Sequence, residues 1–170
     1  IDAGIEAAVF LNTDKAVNPC TTYGYCKAMA ARTFLGGNIY AGKDGTQFIQ
    51  TLYGNVAGST GSVIPKWQAM IESGVTTVPV TDPAMTRFSM TPQEAVDLVL
   101  YAIANRYDDT TFTPDLPAYR LGDLAEAMGV DMDVVGLACE EKLHEEMRPG
   151  EHSGMARRMS VGELKGAING

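Results

Sequence analysis

A short apolar run, Ala7-Ala8-Val9-Phe10-Leu11, bounded by turn residues on both sides, constrains this chain more than any other feature. It is too short for a helix and too continuously apolar for a strand with one wet face. It therefore predicts a strand buried on both faces of a parallel sheet. Asn12 to Thr22, with Asn18-Pro19, reads as a loop, and Tyr23 to Leu35 as a helix stopped by Gly36-Gly37. Thr46–Tyr53 alternates and is rich in strand formers; Gly54–Gly61 is a glycine-rich loop leading into a helix from Val63 to Glu72. Strand, helix, strand, helix is the order of right-handed crossovers in an α/β sheet.

Beyond these, Val78–Val80 predicts a short strand. Thr91-Pro92-Gln93-Glu94 combines an N-cap hydroxyl, proline at the first helical position and a capping-box acid, ahead of the apolar spacing Ala95, Val96, Val99, Leu100, Ile103. Leu121–Met128 reads as a helix and Val134–Leu137 as a strand; Ser160-Val161-Gly162-Glu163 opens a closing helix with another capping box. At the start, Ile1-Asp2-Ala3-Gly4 reads as the last turn of a helix capped by Gly4, so the chain is expected to begin in mid-protein.

Composition narrows the partners. The 170 residues carry 21 acidic and 13 basic side chains, a net charge of −8, which opposes the phosphate field of a nucleic acid. No apolar run reaches the roughly 20 residues of a membrane helix. Cys20, Cys26 and Cys139 are odd in number and lack metal or disulfide spacing, so a reducing cytoplasm is expected, without metal and without membrane.

Tyr23 and Lys27 stand four apart at the start of a predicted helix, on one face, where an ammonium favours the phenolate that a proton abstraction needs. On spacing alone, a surface tyrosine and a solvated lysine account for the pair as well. Position sharpens the reading, because Thr13-Asp14-Lys15 follows the carboxyl end of the first strand, where open α/β sheets place their ligands. An acid beside an amine can serve as a proton donor and acceptor.

At these residues the sequence resembles the extended short-chain dehydrogenase/reductase superfamily, and within it the inverting UDP-N-acetylglucosamine 4,6-dehydratases of polysaccharide and glycan biosynthesis. Thr13-Asp14-Lys15-Ala16-Val17-Asn18-Pro19 is similar to that family's active-site loop, and Tyr23-Gly24-Tyr25-Cys26-Lys27 to its Tyr-x-x-x-Lys helix. Tyr53-Gly54-Asn55-Val56, Gly58 to Pro65, Thr81 to Phe88 and Glu141 to Glu145 match in order, so the resemblance runs from Ile1 to about Met147. Lys15 points to the inverting branch, since retaining relatives carry Asp-Glu there.

The resemblance implies an α/β fold: the carboxyl-terminal half of a Rossmann-like parallel sheet plus a small α/β substrate-binding portion. Residues 1–62 would hold the second half of the NAD(P)-binding domain with the catalytic motif. Residues 63–170 would be mostly the substrate-binding portion, with some segments returning to the sheet. Thr13, Asp14, Lys15, Tyr23 and Lys27 would be catalytic. Tyr23 would take the 4-hydroxyl proton while hydride passes to NADP, Lys15 the C5 proton, and Asp14 would protonate the departing 6-hydroxyl. Tyr23, Lys27, Val56, Ala57, Gly58, Ser59 and Thr60 would approach the NADP cofactor. Asn55, Val63, Thr81, Arg87 and Glu141 would contact the UDP-sugar, with Arg87 on the diphosphate. His144 stands alone, without a second histidine at metal spacing. A homo-oligomer is expected of the full-length protein.

The sequence departs from this pattern in places. No G-x-G-x-x-G turn is present, and Gly54, Gly58 and Gly61 have the wrong spacing for one. In the family that turn precedes the region matching Ile1, so this chain is expected to be a fragment of a protein about twice as long, binding NADP poorly by itself and leaving the first strand with an open edge. Ala138 and Thr60 stand where the family usually has arginine, and Ser89 where it has tryptophan, which predicts altered or weakened nucleotide-sugar binding. Two other readings stay open: a nucleotide-sugar epimerase of the same superfamily, and a non-catalytic subunit or binding module.

Overall fold

The computed structural model describes residues 1–59 and 61–169, with no side-chain detail at 169. Its first sheet is built from β1 (Ala7–Thr13), β2 (Gln47–Tyr53) and β6 (Thr111–Phe112), in the order β1-β2-β6 and parallel throughout. Side chains alternate across it. Phe10 and Phe48 point to α1 (Thr22–Leu35), where Phe34 packs at 5.4 and 5.2 Å from their rings. Val9 and Ile49 point the other way, joining Ala102 of α4 (Pro92–Ala104) and Phe112 in a small core. Helices on both faces of a parallel sheet are the α/β layering that the strand–helix order predicts.

The first strand differs from its sequence reading. It is only half-buried, and Leu11 is 51% exposed. Among the described residues β1 pairs with β2 alone, which is the open edge the sequence led us to expect, and Leu11 forms part of a cavity wall instead of being covered. At the opening residues, Ile1 to Gly4 form a turn closed by Gly4 N–H on the Ile1 carbonyl, with Gly4 at φ 65°, the left-handed conformation of a C-cap glycine.

α1 begins where Thr21 accepts from the Gly24 N–H and ends at Leu35; a one-turn helix, α2 (Gly37–Ala41), follows the glycine stop. After β2 the chain enters β3 (Asn55–Val56) and α3 (Val63–Glu72). A second layer forms from β5 (Thr86–Met90), which pairs with β3 on one side and β7 (Ala118–Arg120) on the other. Beside it, β4 (Thr77–Val80) pairs in parallel with β8 (Asp131–Val134). Trp67, Val78, Val80, Met85, Tyr119 and Leu124 fill the core between α3 and α5 (Leu121–Met128).

The strand expected at Val134–Leu137 lies instead at Asp131–Val134. Pairing with β4 sets its register, Thr77 against Asp131 through Val80 against Val134. The last ladder bond runs from Val135 N–H to the Val80 carbonyl, and Gly136 at φ 88° then turns the chain away. The chain closes through β9 (Glu146–Arg148), β10 (Glu151–His152) and α6 (Val161–Asn169).

Both capping boxes form. Thr91 and Glu94 cap α4 reciprocally, and Ser160 and Glu163 cap α6 at 2.8–3.2 Å. Bonds from the Ser160 N–H, then from Arg157 and the Ser160 hydroxyl, hold the Glu163 carboxyl down at about 2 from an ordinary 4.5. A depressed carboxylate contributes stability that is complete above its unfolded value and is lost as pH falls through the folded one. We expect the start of α6 to fray between pH 4.5 and 2, seen by amide hydrogen exchange, and Glu163→Gln to abolish that acid dependence.

Candidate active site

The parallel register sets Thr13, the last residue of β1, against Tyr53, the last of β2, so both loops leave the sheet at the same level. Thr13 caps a single 3-10 turn, Asp14–Ala16: its hydroxyl accepts from the Lys15 N–H at 3.4 Å and donates to Asp14 Oδ1 at 2.9 Å. Lys15 Nζ donates to the same Asp14 oxygen at 3.1 Å and reaches across to Asn55 Oδ1 at 3.3 Å. The ammonium thus joins the loop after β1 to the loop after β2. Asn55 Nδ2 in turn meets the Tyr119 hydroxyl at 3.5 Å, whose phenol burial pushes up.

Asp14 is fully buried, and its Oδ2 has no hydrogen-bond partner. It lines neither neighbouring cavity, so its contact with any ligand runs through Thr13 or Lys15. A fully buried carboxylate persists because the ammonium and hydroxyl beside it offset its desolvation.

α1 meets this turn closely. A Cβ at Gly24 would collide with the Lys15 carbonyl and touch Pro19 and Thr21, so glycine is what lets the helix start this near the dyad. On that helix Tyr23 is 56% exposed, and Lys27 donates to the Leu11 carbonyl at 2.9 Å while lying 4.5 Å from the Phe10 ring centroid.

These residues converge on an open cavity of about 760 Å³ lined by Thr13, Lys15, Tyr23, Lys27, Asn55, Val56, Ser59 and Val63, among others. An adjoining cavity of about 150 Å³ holds Lys15 again with Arg87, Lys142, Glu141 and Glu145. The larger volume is in the usual range for a small-molecule site. Ala57, Gly58 and Thr81 lie outside both linings, Ala57 donating its N–H to the Met90 carbonyl and Gly58 turning at φ 70°. Thr60 is outside the described residues.

A cofactor can be tested against this wall. Ser62 Oγ is buried there without a hydrogen-bond partner, beside Gly61, Ser59 and the exposed Tyr23 phenol. An unpaired hydroxyl lining the same cavity as Tyr23 and Lys27 fits a hydroxyl-bearing group such as the ribose end of a dinucleotide. The pyrophosphate turn is not part of this sequence.

Arg87 is held by Nη1 bonds to the carbonyls of Thr86 at 2.7 Å and Lys142 at 3.2 Å, and its Nε lies 3.9 Å from Glu145. Sequence reasoning assigned no role to Glu145, Lys142 or Tyr119. In sequence Glu145 is one of four glutamates between 140 and 146, of which only Glu141 is singled out, and the fold buries Glu145, at 5% exposure. Next to it, His144 Nδ1 shares a hydrogen bond with Thr86 Oγ1 at 2.7 Å and stacks on His152 at 5.0 Å. Burial first, then His152, hold the His144 imidazole below its ordinary value. Among the described residues no group of three potential ligands can hold a metal, and no helix is long and apolar enough to cross a membrane.

Gly24→Ala should cost about 1–3 kcal/mol through overpacking and part α1 from the Lys15 turn. Denaturant unfolding of the intact protein measures it; an unchanged midpoint would show that the contact yields freely.

A family described as polysaccharide biosynthesis protein matches residues 1–161. The UDP-N-acetylglucosamine 4,6-dehydratase (inverting) of Campylobacter jejuni is 36% identical over 152 residues, covering 88% of this chain and 46% of that protein. The chain thus spans about half the length of this curated relative. The structure of Pen from Bacillus thuringiensis is similar at a TM-score of 0.86 and 26% identity, over 99% of this chain and 63% of that one. DesIV, a dTDP-glucose 4,6-dehydratase from Streptomyces venezuelae with NAD and TYD bound, has a TM-score of 0.73 at 14% identity, over 99% and 60%, and shares the fold.

Proposed function

The chain belongs to the polysaccharide biosynthesis protein family, and on that premise we propose that it carries the catalytic dyad and substrate wall of an NADP-dependent UDP-N-acetylglucosamine 4,6-dehydratase that inverts C5. What supports this most directly is Lys15. Its ammonium borders both cavities, bonded to Asp14 on one side and Asn55 on the other, and shares the larger cavity with Tyr23, Lys27 and Thr13.

Tyr23, Lys27, Val56 and Ser59 would hold the nicotinamide end, and Arg87, Asn55 and Glu141 the UDP-sugar. The cofactor, when bound, supplies a hydride acceptor at C4 and a hydride donor at C6. Tyr23 takes the proton of the 4-hydroxyl, with Lys27 on the same cavity wall. The resulting 4-ketone acidifies C5–H, and Lys15 removes that proton once it has passed one of its own to the Asp14 carboxylate 3.1 Å away. The 6-hydroxyl departs as water with a proton that originates on Asp14 and passes through Thr13 or Lys15, since Asp14 borders neither cavity. As hydride returns to C6, solvent in the open cavity delivers a proton to the opposite face of C5, Tyr23 and Lys15 release theirs to solvent, and the net change in the sugar is loss of one water.

The test is to incubate this chain, joined to the dinucleotide-binding half expected before it, with NADP and UDP-N-acetylglucosamine and follow the sugar by NMR. A 4-keto-6-deoxy product inverted at C5 is expected. A C4 epimer without water loss, retention at C5, or an unchanged sugar would each overturn the reading. Lys15→Gln should lower kcat by about 10²–10⁴-fold while leaving UDP binding, measured by calorimetry, within severalfold.

A further inference from the structure

Glu145 has no assigned part in this chemistry, yet its surroundings are unusual. Its carboxylate is 5% exposed, and Oε2 has no hydrogen-bond partner. Three cations surround it: Lys142 Nζ at 3.7 Å, Lys15 Nζ at 3.9 Å and Arg87 Nε at 3.9 Å. Each is too distant for a good hydrogen bond, so the attraction is Coulombic and largely insensitive to direction. Such a carboxylate can pull on several cations while leaving their donors for other partners. Lys15 keeps its bonds to Asp14 and Asn55, and Lys142 its 2.6 Å bond to the Val17 carbonyl.

The backbone beneath this group is fixed. Glu145 N–H donates to Ser153 Oγ at 3.0 Å, and Ser153 N–H to the Glu145 carbonyl at 2.8 Å. Ser153 Oγ also donates to the Thr86 carbonyl at 3.1 Å, and both Ser153 and Thr86 are fully buried. Thr86 precedes Arg87 on β5, so the segment that carries the carboxylate is bolted to the strand that carries the guanidinium. Lys15 belongs to neither; it arrives from the loop after β1, and among the described residues Glu145 is the acidic group from the second layer within 4 Å of it.

We propose that Glu145 is a positioning residue: a buried counter-ion shared by Lys15, Arg87 and Lys142 that holds the Lys15 amine in register with the Arg87 wall across the boundary between the two layers. This rests on the reading of Lys15 as the C5 base. It adds a residue that touches no reacting atom and acts through the one that does.

Glu145→Gln keeps the side-chain shape and removes the charge; Glu145→Asp keeps the charge and withdraws it by one methylene. In the intact protein with NADP and UDP-N-acetylglucosamine, Glu145→Gln should lower kcat on the order of 10²-fold, the scale of an ångström's misplacement. KM should hold or fall, because the cavity gains net positive charge toward an anionic substrate. Glu145→Asp should lower kcat by about tenfold. A pocket damaged in a merely structural way would instead raise KM.

A second readout needs no turnover: labelling of Lys15 by an amine-acylating reagent at neutral pH, followed by peptide mass spectrometry. A freed amine in Glu145→Gln should label several-fold faster than wild type. Unchanged labelling, or unchanged kcat in either folded variant, overturns the proposal. A wild type that makes no 4-keto-6-deoxy sugar sinks the functional reading alone, because the labelling result still decides whether Glu145 restrains Lys15. Should Glu145→Gln fail to melt cooperatively, Glu145→Asp decides by the same two measurements.

Discussion

The parallel register of β1 and β2 is the constraint on which the site depends. Because Thr13 lies opposite Tyr53, two loops with no local relation in sequence leave the sheet side by side, and Lys15 can reach Asn55 forty residues away. A slip of one residue would turn every side chain of β1 to the other face. Phe10 would leave Phe34, Val9 would leave the Ile49 core, and Asp14 would lose its burial. The core that fixes the register therefore also fixes the dyad, and this is why packing well below the cavity controls geometry at its mouth.

Steric and electrostatic effects then act at different ranges. Gly24 sets the closest approach of α1 through hard contact, which falls off within a fraction of an ångström. The cluster of Lys15, Arg87, Lys142 and Glu145 acts over nearly 4 Å, with one buried carboxylate facing three cations. Hard contact fixes where backbones lie; the longer-range attraction aligns side chains that arrive from different layers.

Much of the fold was legible because its signals are local. Capping boxes at Thr91 and Ser160, the Gly36-Gly37 stop and the apolar run of β1 each need only a few neighbouring residues, and the helices follow them. The open edge of β1 was legible from the missing glycine turn, but the covering of both its faces was misread, since face burial depends on partners outside the strand's own sequence. The displaced β8 has the same origin: Val134 to Leu137 is the more apolar stretch, but pairing with β4 selects Asp131–Val134. In the candidate site, Thr13, Lys15, Tyr23 and Lys27 announced themselves by spacing and by their place after a strand. Glu145 did not, because one glutamate among several in a charged run shows nothing of its burial until Ser153 and Thr86 are folded beneath it.

The overall charge of −8 sets a further condition on anion recognition. The long-range field of the protein opposes an anionic ligand, but salt screens that field within about 8 Å, so contacts inside the cavity decide affinity. Two positions at which the family resemblance led us to expect arginine carry no positive charge. Ala138 lies on an exposed turn whose carbonyl accepts from the Glu141 N–H, and the other is Thr60. The cationic work at the diphosphate therefore falls on Arg87 and Lys142, which share Glu145 with Lys15. A diphosphate entering this wall would compete with that carboxylate for Arg87 and Lys142. The buried counter-ion thus sets a threshold for binding: it keeps the cations ordered when the cavity is empty, and it weakens their attraction for any anion that is not held by further contacts.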